Sequence, residues 1–231
     1  KAYTKDLCGY AERGEKEWKR LLGSFFAEGV NIAVVKNDEG QIEGYAVYRL
    51  GAPEIPVTEF VYTTRRAQRG LLNYFYNHRS QGESIRWNEG LHDTGYRFVP
   101  DGKTGHTTMP YMMARIVDVE TALTTVPVNP EAVMMPITLN IKVTDTLCDW
   151  NNGVFALTLG ESTLPNVKRV SAESVDEIDI TIDIGGLTVL LMGAVSAKDL
   201  VFEGKLQGES HWIDYLDMVY PKQNTYINEW W

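Results

Sequence analysis

The chain is short of positive charge. Its 231 residues hold 22 Lys and Arg against 31 Asp and Glu, a formal net charge of −9. The densest basic cluster is Arg65, Arg66 and Arg69, and no basic stripe runs along any segment. Nucleic-acid binding, which depends on neutralising phosphates, is therefore not expected. Cysteine is scarce too: Cys8 and Cys148 stand far apart and form no Cys-x-x-Cys pair, so they read as reduced thiols of a cytoplasmic protein. The four histidines, His78, His92, His106 and His211, make no His-Glu-x-x-His pattern, and no metal site is expected. No apolar run reaches membrane-spanning length and no secretory signal opens the chain, so membrane insertion is not expected either. The first residue is Lys1 and not Met, which suggests an excerpt of a longer protein.

What is present suits a soluble globular protein, with 44% hydrophobic and 23% charged residues. The length accommodates one large or two small domains. An acidic balance favours a cationic small molecule by attraction, although solubility alone explains it equally well.

Periodicity predicts a helix over Arg13–Glu28, because Trp18, Leu21, Leu22, Phe25 and Phe26 recur at three- and four-residue steps and Gly29 stops it. Strands are predicted at Asn31–Lys36 and Gly44–Leu50 around the turn Asn37-Asp-Glu-Gly40, with another at Val57–Thr63. Ala67, Leu71, Leu72, Phe75 and His78 then fall on one helical face. Gly82–Pro110 is rich in loop residues, and its Pro100–Gly105 run lacks the spacing of a phosphate loop. A domain boundary is placed near Pro110, giving domains 1–110 and 111–231.

The second domain should open with a strand at Tyr111–Val117, followed by a helix at Val119–Thr125 capped by Asp118. After a proline-punctuated connector, strands are predicted at Ile137–Val143, Gly153–Leu159, Asn166–Val170 and Ile178–Asp183. Helices should cover Asp183–Gly193, Ala197–Phe202 and Glu209–Val219, leaving an extended tail from Thr225. The expected fold class is α+β in both domains, a sheet with helices on one face. Gly185-Gly186 is read as relief of crowding at a strand-to-helix turn, and Trp212, Tyr215 and Met218 as core packing. The acidic run Asp176, Glu177, Asp179, Asp183 lacks the spacing of a calcium loop.

The hairpin, strand and helix of the first domain resemble the core of a GNAT acetyltransferase. Such domains carry Arg/Gln-x-x-Gly-x-Gly/Ala at the strand-to-helix turn, where backbone amides hold the coenzyme A pyrophosphate. The corresponding stretch here is Thr64-Arg-Arg-Ala-Gln-Arg-Gly70-Leu-Leu72. It keeps Gly70 but places branched Leu72 at the second small position, which predicts a degenerate domain with no intact coenzyme motif.

A second set of residues extends the resemblance. Arg115-Ile-Val-Asp118, Ile141-Lys-Val-Thr-Asp145, Asn151-Asn-Gly153, Asp179-Ile-Thr-Ile-Asp183 and Leu187–Gly193 precede a stop at Glu229-Trp230-Trp231. Their order and spacing resemble the C-terminal, sterol carrier protein-like domain of Eis-type (enhanced intracellular survival) acetyltransferases. Two tryptophans at an exposed end would be costly, so a buried tail is expected. The resemblance implies that acetyl-CoA is the co-substrate, held by an N-terminal GNAT domain lying outside these residues. It also implies that the main-chain carboxylate of Trp231 is the general base, with Glu229 and Trp230 beside a cationic amine. This chain ends in Trp where Phe is common. Aminoglycosides, polyamines and lysine side chains are the implied substrate classes, and a homo-oligomer the implied assembly. The alternatives are a non-catalytic sterol-carrier-like module for apolar ligands and an oligomerisation scaffold.

Overall fold

The computed structural model describes residues 2–51, 53–98, 104–109, 111–160, 164–227 and 229. The chain divides into two compact units. The first joins Lys1–Thr107 to the tail from Tyr226 onward, and the second is Thr108–Thr225.

In the first unit, helix α1 (Glu15–Ala27) precedes strands β1 (Asn31–Lys36), β2 (Ile42–Tyr48) and β3 (Glu54–Tyr62), helix α2 (Arg65–Asn77) and strand β4 (Ser84–Trp87). The sheet order is β1-β2-β3-β4. The first three strands are antiparallel, whereas β4 pairs parallel with β3. A parallel neighbour requires a crossover, and α2 supplies it. Thr64 starts α2 by accepting the Ala67 amide proton on Oγ1 at 3.1 Å. Ala46, Tyr48, Phe60, Leu71 and Phe75 form the core between sheet and α2. Two glycines let the helix approach. A Cβ at Gly44 would lie 3.1 Å from Ala67 Cβ on α2, and one at Gly70 would lie 3.3 Å from Val35 Cγ2. Gly70 therefore serves helix–sheet packing. The α1 stripe is only partly covered: Trp18, Leu21 and Phe25 are half-buried, while Phe26 is 71% exposed.

In the second unit, α3 (Val119–Thr125) precedes β5 (Ile137–Thr144), β6 (Gly153–Leu159), β7 (Asn166–Val170) and β8 (Ile180–Asp183). Then come α4 (Ile184–Leu191), α5 (Ala197–Phe202), β9 (Leu206–Gly208) and α6 (Ser210–Val219). The sheet order is β7-β6-β5-β8-β9, with β5 and β8 parallel. Alternation along β5 and β6 places Leu139, Ile141, Val143, Phe155, Leu157 and Leu159 in one core with Leu123, Leu187, Leu190, Leu200 and Leu216 from the helices. Asp183 caps α4 through the Gly186 amide at 2.6 Å.

Tyr111–Val117 is not a strand. Nearly all of it is exposed, and Ile116 alone in it packs against the core. It is tied down at one end instead. Trp150 Nε1 and Asn151 Nδ2 donate to the Val117 carbonyl at 2.9 and 3.2 Å. Asp145, whose side chain is fully buried, accepts from Arg115, from Asn151 Nδ2 at 2.9 Å and from the Leu147 and Cys148 amides at 2.9 and 3.1 Å. The Asp145, Asn151 and Asn152 motif is thus a structural staple. Burial alone would raise the Asp145 carboxyl, but the bonds from Asn151, the two amides and Arg115 outweigh it and hold the pKa well below the usual range. A depressed carboxyl contributes stability above its unfolded pKa of about 3.9, and the contribution is lost as pH falls through the lower folded value. Asp145→Asn is accordingly expected to lower the melting temperature at neutral pH, with the gap to wild type closing below about pH 4. A gap that stays constant from neutral pH down to pH 2 in thermal melts would rule the staple out as a source of acid sensitivity.

Candidate active site

The tail is tied to the first unit at Tyr226 and at Glu229. The Tyr226 amide donates to the Cys8 carbonyl at 2.9 Å. Three residues on, Glu229 Oε1 accepts from Arg13 Nε at 2.8 Å. Arg13 also donates from Nη1 to Glu59 Oε1 at 2.8 Å, and the Tyr45 hydroxyl donates to Glu59 Oε2 at 2.6 Å.

Local sequence explains the cluster. Glu59 sits on β3 directly across from Val47 on β2, with Tyr45 two residues away on the same face. That face is opposite the one covered by α2. Arg13 lies just before α1, whose start is fixed by the Gly14 amide bonding Glu17 Oε2 at 3.1 Å. The guanidinium therefore lies over the Trp18 ring, 5.1 Å from its centroid, and Trp18 meets Tyr45 edge-on at 6.1 Å. The Arg13 and Glu59 side chains are 6% and 7% exposed. Arg13 thus stands between the carboxylates of Glu59 and Glu229. Burial alone would lower the Arg13 pKa, but the bonds to Glu229 and Glu59 outweigh it and push the guanidinium up. The Tyr45 hydroxyl is pushed up by burial and then by Glu59, and Tyr226 is pushed up to about 12 by burial and the same carboxylate.

A second group lies in the same unit. Asp93 is 8% exposed and accepts the Tyr62 hydroxyl at 2.7 and 2.6 Å on its two oxygens, with the Gly95 amide at 2.7 Å on Oδ1. Tyr3 meets Tyr62, Tyr226 and His92 at ring distances of 6.2, 5.6 and 6.5 Å. Burial raises the Tyr3 and Tyr62 hydroxyls, so both stay protonated donors. Glu89 is pushed up by burial, partly offset by the Trp87 indole N–H at 3.0 Å.

A cleft of about 290 Å³ opens at the start of α2, lined by Tyr62, Thr63, Thr64, Arg65, Gln68, Asp93, Thr94 and Gly95. Coenzyme pyrophosphate would be cradled at this helix start in a working GNAT turn. The residues present do not fit it. Glu43 Oε2 already accepts from the Thr64 hydroxyl at 3.0 Å and from Arg66 Nε and Nη2 at 3.2 and 3.0 Å, and Asp93 adds a second carboxylate on the cleft wall. Arg65 is bonded to Gln68. The polar groups at the helix start are thus engaged with one another, Thr64 and Arg66 with Glu43 and Arg65 with Gln68. The 231-residue protein should therefore give no binding heat with micromolar acetyl-CoA in isothermal titration; a micromolar dissociation constant would show the turn to be competent.

Of the residues singled out from sequence, Glu229 sits in the first cluster. Trp230 and Trp231 lie outside the described residues. Sequence reasoning missed Arg13, Glu59, Tyr45, Tyr62 and Asp93. A signal existed for Glu59, a charge between Thr58 and Phe60 in an otherwise apolar strand half. None existed for Arg13, whose partner is 216 residues away. Among the described residues no group of three or more His, Cys, Asp or Glu side chains is placed to hold a metal ion, and no helix is long and apolar enough to cross a membrane.

Residues 9–116 match the acetyltransferase (GNAT) domain profile and residues 119–228 the sterol carrier protein domain profile. The chain is a mixed α/β protein in which a GNAT domain is followed by a sterol carrier protein-like domain. Among solved structures it is similar to a conserved protein of Enterococcus faecalis V583 described as a probable N-acyltransferase, with TM-score 0.84 and 25% identity over 100% of this chain and 57% of that one. It also resembles a GCN5-related N-acetyltransferase from Anabaena variabilis ATCC 29413, with TM-score 0.76 and 19% identity over 97% and 56%. A third likeness is to Eis1 from Mycobacterium abscessus, with TM-score 0.67 and 20% identity over 100% and 58%. At such identities the last two likenesses speak to fold alone. The chain spans little more than half the length of each of these proteins. Comparison with curated protein sequences gives no significant match.

Proposed function

We propose that this chain is the central and C-terminal part of an Eis-like N-acetyltransferase that moves an acetyl group from acetyl-CoA to a primary amine of a polycationic acceptor. Aminoglycosides, polyamines and lysine side chains are the acceptor classes. In this scheme acetyl-CoA is held by a further GNAT domain N-terminal to these residues, and the enzyme is a cytoplasmic homo-oligomer. GNAT domains use acetyl-CoA, and the likeness to a probable N-acyltransferase supports the reaction class. The single observation that carries the proposal is the return of the tail to the first unit, where Glu229 bonds Arg13 two residues before Trp231.

The chemistry needed from this chain is proton removal. An ammonium group is not a nucleophile until it loses a proton, and the Trp231 α-carboxylate accepts it. A free α-carboxyl titrates at roughly 3.3–3.7, which makes it a weak base at neutral pH. Burial and neighbouring carboxylates raise such a group toward the operating pH. In this reading Glu229 and Trp230 flank the acceptor and hold its cationic group in place while the proton departs.

The test uses the protein at its full natural length, with acetyl-CoA and a panel of spermidine, an aminoglycoside, a lysine peptide and a neutral hydroxyl acceptor. Coenzyme A release should be fast with the polyamines and aminoglycoside and undetectable with the neutral acceptor. Absence of turnover with every amine would sink the proposal.

A further inference from the structure

We propose that the cleft at the start of α2 binds a small zwitterion, a free α-amino acid, with its ammonium on Asp93 and its carboxylate on Gln68. The site lies wholly within the first unit and does not depend on the transferase reading.

Two buried groups of opposite character face this cleft of about 290 Å³. The first is the Asp93 carboxylate, 8% exposed, which accepts from the Tyr62 hydroxyl and the Gly95 amide. The single hydroxyl proton is shared between its two oxygens, so two protons serve a group with about four acceptor sites. No Lys, Arg or His side chain among the described residues pairs with it. A buried carboxylate without a cation is unfavourable, and a ligand ammonium would relieve it. The second group is the Gln68 amide, 3% exposed. Its Oε1 accepts from Arg65, which turns Nε2 the other way. Nε2 has no acceptor among the described residues, so a buried donor stands open on the cleft wall.

The bare Cα of Gly95 shows that the two converge. A Cβ there would stand 3.1 Å from Asp93 Oδ1 and 3.2 Å from Gln68 Nε2, so acceptor and donor lie within about 6.3 Å of each other, yet they do not bond. The ammonium and carboxylate of an α-amino acid share one carbon. Each needs about 2.7–3.2 Å to its partner, which suits this separation. Glu89 Oε2, 3.4 Å from the same point, adds negative charge on the ammonium side. Arg65 and Gln68 belong to the first turn of α2, whose positive dipole end favours the carboxylate. A simple anion would meet Asp93, and a simple cation would meet the Arg65 guanidinium. A ligand carrying both charges suits both walls. The volume falls at the small end of ligand pockets, about 300–1,000 Å³.

The experiment is a thermal-shift screen of the 231-residue protein against the twenty common amino acids, with isothermal titration of those that stabilise it. At least one is expected to bind with Kd below about 1 mM. Its N-acetyl derivative, which lacks the ammonium, and its amide, which lacks the carboxylate, should each bind at least about tenfold more weakly. Asp93→Asn keeps an acceptor for Tyr62 and Gly95 and removes the charge. Gly95→Ala removes no polar group and puts a methyl between them; its backbone is outside the left-handed region, so alanine fits the chain there. Both variants should lose at least about tenfold in affinity while circular dichroism shows the fold retained. Should either fail to fold, the two ligand derivatives on the wild-type protein still decide. No shift or heat with any amino acid overturns the proposal. So does a derivative that binds as tightly as its parent, or unchanged affinity in the folded variants, which would put the ligand elsewhere.

Discussion

Extending the chain by one residue after Trp231, or amidating its carboxylate, is expected to lower the turnover number of the full-length enzyme by about 10²–10⁴, the usual range for loss of a general base. The extension keeps the tail sequence with Glu229 and its bond to Arg13, and it replaces only the group proposed to take the proton. Trp231→Phe should retain most activity, because a carboxylate and an aromatic ring both remain. Steady-state kinetics with acetyl-CoA and a polyamine, beside circular dichroism to check the fold, decide the matter. Wild-type turnover in a folded, extended protein would make the tail a latch with no part in proton transfer.

The second large effect concerns stability. Glu59→Ala should cost about 3 kcal/mol, the lower end of the range of about 3–5 kcal/mol for breaking a buried ion pair. The low end applies because Glu229 still holds Arg13, although the Tyr45 hydroxyl also loses its acceptor. Replacing both partners, as in Arg13→Met with Glu59→Leu, should cost less than the sum of the single changes, since neither of the two most buried charges is then left behind and only the more exposed Glu229 loses its arginine. Urea unfolding read by tryptophan fluorescence suits the test, because Trp18 lies under the guanidinium. Strict additivity in that cycle would mean that Arg13 and Glu59 are not energetically coupled.

Much of the fold was legible because it is written in local signals. The Asn37–Gly40 turn, the Asp118 and Asp183 caps, and the alternation of β5 all appear where their residues require. Strands β4 and β9 were not. Ser84–Trp87 and Leu206–Gly208 are four and three residues long and gain order only from their neighbours. The parallel pairing of β4 with β3 depends on the path of α2, which no window of sequence contains. Tyr111–Val117 misled in the opposite sense, since apolar residues such as Met112 and Met113 are exposed there. At the site, Glu229 came from family resemblance. Arg13 could not come from sequence, because a charge at the mouth of an amphipathic helix looks the same whether it meets water or a carboxylate from the far end of the chain.

The two anchors of the tail also set an order in time. Translation makes the sheet of the first unit early and the whole second unit next, and only then Tyr226 and Glu229. Arg13 and Glu229 are 216 residues apart, so chain synthesis at about 5–20 residues per second puts roughly 10–40 seconds between them. Throughout that interval the Arg13–Glu59 pair waits, one carboxylate short, with its sheet already free to form. A ribosome that stops before Tyr226 leaves both units with their sheets encoded but the Arg13 seat half filled. Closure of the Arg13 seat is thus a late event in the synthesis of this chain, and a message cut short before Glu229 yields a sheet whose buried arginine lacks one of its two carboxylates.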